Sequence, residues 1–455
     1  MEFLQILLYF IIAIGVLVVV HELGHYLAAK WTNTRADIFS VGMGRRIFGW
    51  NKVDGFTSGP LSTEKNYDGK TDWRLSLLPI GGYVKIAGMV DESLNKQDVS
   101  VAPKEYEFRS KKAWQKILIL SMGVIFNVIL AVVLFASVSF FQERENYLTN
   151  EIGFVNPYNP AYDLGFRKGD RVVSVNGKTP QNFQEIIGMI NRDDIGTDRE
   201  VVVYRDGQEI LINIPYDSVI SSMASKNPIS YSPTGMEVWF PQVVEGKQSE
   251  EAGVKDGDIP LEIDGIPVQS PQQFKLLLQE NDNDIANLTI KRGDQIENIS
   301  VPIDSKGMIG VVISSRFTGD TETYTLGLFE SIADGVVKTY SMVSLFFESV
   351  YQVFNGTIEA KDAIGGPVMI AKQAQQSAAM GWDMFLIFLA SLSVSLAILN
   401  ILPLPVLDGG HILIVIIEKI RGKDLSEEVK MRIQSIGMVI MFLLMGLVIF
   451  MDITR

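Results

Sequence analysis

His21-Glu22-Leu23-Gly24-His25 closes an apolar run that extends from Phe3 to Val20. Histidines four residues apart share one face of a helix, so both imidazoles can reach one metal ion. Glu22 stands beside them, where a carboxylate can take a proton from a water activated by the metal. The apolar run is long enough for most of a membrane crossing. The stretch therefore predicts a hydrolytic zinc site at the end of a membrane helix, and the rest of the chain must supply the remaining ligand and a route for substrate.

At 455 residues the chain exceeds one ordinary core, which predicts two or more domains. Hydrophobic residues make up 47% and the mean hydropathy is +0.19, high for a soluble protein. Runs at 3–30, 115–140, 383–403 and 434–452 each have the length of an apolar helix that crosses a bilayer. The first lacks a basic leader and a small-x-small cleavage site, so it reads as a retained span. The absence of cysteine excludes disulfides and thiolate metal ligands.

The net charge of −13 is unevenly spread. Residues 31–112 hold 13 Lys/Arg against 10 Asp/Glu, whereas residues 140–382 hold 19 against 34. An acidic soluble region argues against nucleic acid as a partner. Arg109, Lys111, Lys112 and Lys116 lead into the second run, and Lys419, Arg421, Lys423, Lys430 and Arg432 separate the third from the fourth. Basic flanks stay on the cytoplasmic side. Both termini and the 140–382 region are then expected outside, with the motif toward the cytoplasmic half of its helix.

Between the first two runs, Ile38 to Gly44 is strand-like, and Asp72 to Ile86 reads as two strands broken at Pro79 and the Gly81-Gly82 pair. This segment is too apolar for a free loop and is expected to dip into the membrane against the helices. Its edge, Gly81, Gly82, Tyr83, Val84 and Lys85, could pair with an extended substrate. Residues 91–107 read as polar and mobile. Asn127 interrupts the second apolar run; a polar residue there faces the bundle interior, as interhelical glue or with a catalytic role.

Outside, residues 164–177 and 252–265 repeat one another, with three glycines at identical spacing. Each copy continues through a phenylalanine, Phe183 or Phe274, that opens a helix, and closes with strand, turn, strand. Pro260 departs from the pattern by removing a strand donor. Tyr324 to Phe354 is helical and amphipathic, suited to the membrane surface or to the β-rich pair. A Gly365-Gly366-Pro367 breaker and a second short helical stretch follow.

The third run ends in Asn400-Ile401-Leu402-Pro403-Leu404-Pro405-Val406-Leu407-Asp408-Gly409-Gly410-His411. Backbone broken this way at membrane depth must be re-satisfied or line a cavity. A catalytic zinc needs a third protein ligand, often a carboxylate, and an open position. Asp408 suits that role, though it could also cap the following helix. The only other histidine, His411, lies three residues on and could serve as the ligand on chemistry alone.

The His-Glu-Leu-Gly-His motif, the Gly-Gly-Tyr-Val-Lys hairpin, the tandem repeat and the Asn400 to His411 motif together resemble the site-2 protease family of intramembrane zinc proteases, and within it the bacterial members that regulate sigma-E. The repeat itself resembles PDZ domains of bacterial proteases. The resemblance implies a multi-pass α-helical membrane protein with four transmembrane helices, a membrane-associated β-hairpin or sheet, and two tandem extracytoplasmic PDZ domains. The expected order is a first transmembrane helix with the motif (1–30), a cytoplasmic or re-entrant β segment and polar loop (31–112) and a second transmembrane helix (113–141). PDZ domains at 150–218 and 236–305 and an amphipathic helical segment (324–380) follow. A third transmembrane helix (383–403), a cytoplasmic segment (404–433) and a fourth transmembrane helix (434–452) complete the chain.

By resemblance His21, His25 and Asp408 bind one zinc ion, Glu22 is the base, Asn400 contacts substrate or the oxyanion, and His411 is left to second-sphere contact or packing. Met43 replaces the phenylalanine usual between Gly42 and Gly44. The expected function is regulated intramembrane proteolysis in the bacterial inner membrane, as part of a stress response. Single-pass proteins already trimmed outside would be cut, such as an anti-sigma factor or signal-peptide remnants. Protein or peptide C-termini are possible PDZ ligands. The competing classes are a membrane metal-ion transporter, which has no need of Glu22 as a base, and a PDZ peptide-sensing scaffold with a closed structural zinc.

Overall fold

The computed structural model describes residues 2–62, 65–67, 69–89, 103–191, 197–224, 229–244, 246–281, 284–304, 307–355 and 365–453. The chain forms two compact units, Met1–Gln142 with Thr325–Arg455, and Glu143–Tyr324. The expected polar stretch at 91–107 lies largely outside the described residues.

The first unit is helical with one small sheet. Its elements are α1 (Glu2–Trp31), β1 (Ala36–Asn51), β2 (Gly55–Ser58), β3 (Asp72–Ile86), α2 (Ala113–Phe141), α3 (Leu328–Phe354), α4 (Pro367–Met380), α5 (Trp382–Ile401), α6 (Asp408–Arg421) and α7 (Glu427–Ile453). Four of these helices, α1, α2, α5 and α7, are long and apolar enough to cross a membrane, as the hydropathy runs predict. The 404–433 segment is not a plain loop, because α6 and the start of α7 occupy most of it.

The sheet has the order β2-β1-β3. β3 is one continuous strand rather than two, bent at Gly81, whose φ of +74° a glycine adopts at no steric cost. β1 folds back on itself as well. Phe39 therefore pairs with both Trp73 and Val84, and Trp73 with both Phe39 and Trp50. The result leaves the 82–86 arm of β3 paired on one side only, with β1, among the described residues. Tyr26 of α1 packs on Phe39 and Trp73, and Ala28, Ala29, Ile119 and Met122 complete the apolar contact that seats the sheet on α1 and α2.

Within the first unit the amphipathic helix α3 packs on α2 and α5. Its Met342, Val343 and Phe346 pack with Phe135 of α2 and Val394 of α5. Gly335 permits the approach, since a side chain there would strike the Val132 carbonyl. Ser139 of α2 donates to Asp334 and accepts from Lys338 of α3, two residues that also pair with each other along that helix.

The second unit holds two β-rich modules of one plan. Each has its own core, around Phe166, Ile186 and Val201 in the first and Phe240, Ile263 and Leu288 in the second. In each, an aspartate after the repeat glycine is clamped by the arginine of the closing hairpin. Arg205 donates to Asp170 and to the Gly165 carbonyl, and Arg292 donates to Asp258 and to the Gly253 carbonyl. The Asn176-Gly177 and Asp264-Gly265 turns both take positive φ, as the spacing predicts.

The strand at Ile259–Ile263 forms despite Pro260, because its pairing is interrupted by a bulge between Pro260 and Glu262. The first copy is interrupted at the matching place, between Val172 and Ser174. In the second copy the helix opens at Pro271, capped by Ser270, and Phe274 lies inside it. Both modules run past the expected ends. Ile152–Phe154 pairs with Ser232–Pro233, and Met236–Val243 with Val311–Phe317, so each opening strand takes its partner from beyond the closing hairpin.

Asp170 is fully buried, and its remaining donor is the Arg167 amide. Replacing Arg205 with alanine leaves that carboxylate buried and undercompensated. The expected loss is about 3 kcal/mol of local stability, read as faster amide exchange across 152–214 with the 240–301 core unchanged.

Candidate metal centre

Two helices meet where the motif lies. Gly24 of α1 faces the Met122 and Gly123 backbone of α2 so closely that a Cβ would overlap the Met122 carbonyl. From the other side, a Cβ on Gly123 would fall on the His25 Nε2. This close crossing of small residues holds both imidazoles against α2, each only 8% exposed. His25 Nδ1 donates to the Ile119 carbonyl at 2.8 Å, and His21 Nδ1 lies 3.1 Å from the Asn127 side-chain amide.

The third group arrives from the broken backbone after α5. Residues 402–407 fold back over the start of α6, and a Cβ on Gly409 or Gly410 would strike the carbonyls of Ile401, Leu402 or Leu404. Val406 is held at φ +85°, a costly conformation for a β-branched residue and one that recurs at functional sites. The N-cap of α6 is Leu407, so Asp408 does not cap the helix. Its Oδ2 points at the imidazoles instead, 3.2 Å from His21 Nε2 and 3.5 Å from His25 Nε2. The two Nε2 atoms are themselves 3.2 Å apart.

These separations fit a metal. Bonds of roughly 2.0–2.1 Å in tetrahedral array place zinc ligand atoms about 3.3 Å apart. Asp408 Oδ2 is buried and accepts no hydrogen bond, which fits a metal-ligand atom. Because the Ile119 carbonyl can only accept, His25 must carry its proton on Nδ1, which leaves the Nε2 lone pair facing the triangle. Among the described residues this is the one cluster of three His, Asp or Glu side chains able to share an ion. Three side chains are the number that a catalytic, rather than a closed structural, zinc takes from the protein.

His21, Glu22, His25, Asn400, Asp408 and His411 all line one cavity of about 570 Å³. Gly81, Gly82, Tyr83 and Val84 of the bent arm of β3, and Met43 of β1, line it as well. Lys85, expected on the same edge, is not part of the lining. Asn400 Nδ2 lies 3.5 Å from His21 Nε2, near the triangle but too far for a strong hydrogen bond. His411 lies outside the triangle, with its Nε2 3.4 Å from the Gln434 amide of α7. The glycine pair at the helix crossing went unread in the sequence; small residues in apolar helices were the available signal.

Comparison with known proteins agrees with this geometry. Peptidase family M50 matches residues 9–444. The chain belongs to peptidase family M50. This M50 chain is 29% identical to the regulator of sigma-E protease RseP of Escherichia coli and 30% identical to protease RseP of Yersinia pestis, over all of each chain. A Vibrio cholerae protein provisionally named a zinc metalloprotease is 30% identical over 98% of both chains. The M50 chain is therefore an intramembrane zinc metalloprotease, and the transporter and scaffold readings are set aside.

Alanine at Gly123 would drive a methyl group into the His25 imidazole. The expected outcome for Gly123→Ala is a purified protein that retains under a tenth of the wild-type zinc, by metal analysis, with unchanged helix content by circular dichroism.

Proposed function

We propose that the chain cuts peptide bonds within transmembrane segments of single-pass membrane proteins already shortened outside the membrane. The observation that carries this reading is the His21, His25 and Asp408 triangle, set beside Glu22 and facing the one-sided arm of β3 across a single cavity. In this reading the three triangle residues hold one zinc ion. Bound there, zinc supplies a lowered water pKa, toward about 7, and polarisation of the scissile carbonyl.

The chain's own residues do the rest. Glu22 takes the proton from the attacking water and later returns it to the leaving amine. The Asn400 amide donates to the oxyanion that develops on the substrate carbonyl. A membrane helix hides its carbonyls in its own hydrogen bonds, so the substrate must unwind before it is cut. The 82–86 arm of β3 receives the unwound segment by strand addition. Glycines at 81 and 82 keep side chains out of the approach. A Cβ on Gly82 would reach Val18 and the Ser40 carbonyl and would sit 3.5 Å from Glu22 Cγ. The exposed apolar residues Ile47, Phe48, Leu77 and Leu78 suit a sheet that dips into the membrane.

The basic flanks of α2 and α6 support a cytoplasmic 31–112 segment and a periplasmic Glu143–Tyr324 unit, with both termini outside. The two β-rich modules, read as PDZ domains, would exclude bulky ectodomains and could bind exposed C-termini. The similarity to RseP proteins, whose name marks them as regulators of sigma-E, makes an anti-sigma factor the first substrate to try.

With a pre-trimmed single-span substrate in detergent, Glu22→Gln should retain zinc and lose at least about 10²-fold in cleavage rate, the scale of a missing general base. Cleavage by that variant at the wild-type rate would remove Glu22 from the mechanism. A proline in place of Val84 removes the main-chain amide that donates to the Glu22 carboxylate on this edge, and should lower kcat as well as raise KM for the same substrate.

A further inference from the structure

Ile119, Gly123 and Asn127 lie four residues apart on one face of α2, the face turned toward the motif histidines. Ile119 presents a carbonyl to His25, and Gly123 presents no side chain. Asn127 is fully buried. Its Nδ2 is placed 3.1 Å from His21 Nδ1, and its Oδ1 is buried without a partner. In that sense the amide would donate to Nδ1 and force the His21 proton onto Nε2. Yet Nε2 is the atom that faces Asp408 Oδ2 and His25 Nε2, at 3.2 Å from each. A proton there would occupy the lone pair that the triangle needs.

We propose that Asn127 is a positioning residue that fixes the tautomer of His21. Its amide is turned so that Oδ1, not Nδ2, faces His21 Nδ1 and accepts the Nδ1 proton. The oxygen and nitrogen of an amide are nearly the same size, so the turn needs no repacking. Oδ1 makes no hydrogen bond in its present place, so the His21 end decides the sense of the amide. The two histidines are then treated alike. Each gives its Nδ1 proton to an oxygen on α2, one from the main chain and one from a side chain, and each turns Nε2 to the metal. The Asn127 turn is itself anchored, since the buried Ser393 hydroxyl of α5 donates to the Asn127 main-chain carbonyl at 2.8 Å. That ties it to the helix that carries Asn400.

The inference rests on the proposed role of His21 as a ligand. The test is zinc affinity of the purified full chain, measured by chelator competition. Asn127→Leu keeps the shape and removes the acceptor; its expected zinc affinity is about 10–100-fold weaker, the usual effect of losing such a partner. Asn127→Asp keeps the acceptor and cannot donate, so it should bind zinc at least as tightly as the wild type. Equal losses in both variants, or wild-type affinity in Asn127→Leu, would overturn the inference. Failure of the wild-type chain to bind zinc would instead remove the ligand reading beneath it. A measurement without substitution guards against misfolding of the variants. The chain has three histidines, so a 15N-histidine spectrum is simple to assign. In the zinc-free wild type, with neutral imidazoles, His21 should carry its proton on Nδ1, and a proton on Nε2 overturns the inference.

Discussion

An acceptor oxygen of Asp408, two imidazole nitrogens and no hydrogen bond to that oxygen are packed into a space 3.2–3.5 Å across. A carboxylate among apolar membrane helices costs roughly 2.5–3.5 kcal/mol even on the mildest insertion scale. That cost is offset when a divalent cation sits among the three groups, and the surrounding structure is arranged to bring them together. Gly24 and Gly123 remove the side chains that would keep α1 and α2 apart. Gly409 and Gly410 let the 402–407 turn fold back and deliver the carboxylate. Val406 holds a strained φ at the same turn. A methyl group at any of the four glycines overlaps a backbone carbonyl or a ligand nitrogen.

The second constraint is access. A hydrolytic centre among membrane helices needs water and an extended peptide, neither of which the hydrocarbon offers. The 82–86 arm of the bent β3 lines the cavity and is paired on one side only among the described residues, the features on which the proposed strand addition rests. The sheet is held by an aromatic cluster on α1 and by the buried Arg46 and Asp72 ion pair within it.

Much of this was legible in the sequence, and for identifiable reasons. The motif histidines, Glu22 and the four spans rest on local spacing and local hydropathy, which survive folding unchanged. The choice of Asp408 over His411 depended on the resemblance to site-2 proteases, since residue chemistry left both open; the geometry brings Asp408 to the imidazoles and leaves His411 against Gln434. The continuous bent β3, the packing of α3 on α2 and α5, and the late closing strands of the two modules depend on partners far along the chain, to which periodicity is blind. Gly24 carries no signal of its own in the motif, and the close approach of α2 shows why a side chain does not fit there.

The claim that carries the account is that His21, His25 and Asp408, and no third histidine, hold a catalytic zinc. Zinc K-edge absorption fine structure on the purified chain tests it directly. The account predicts one zinc per chain, with two imidazole rings and light oxygen donors at about 2.0–2.1 Å, and a spectrum unchanged in His411→Ala. Three imidazole rings in the wild-type spectrum, reduced to two by His411→Ala, would contradict it.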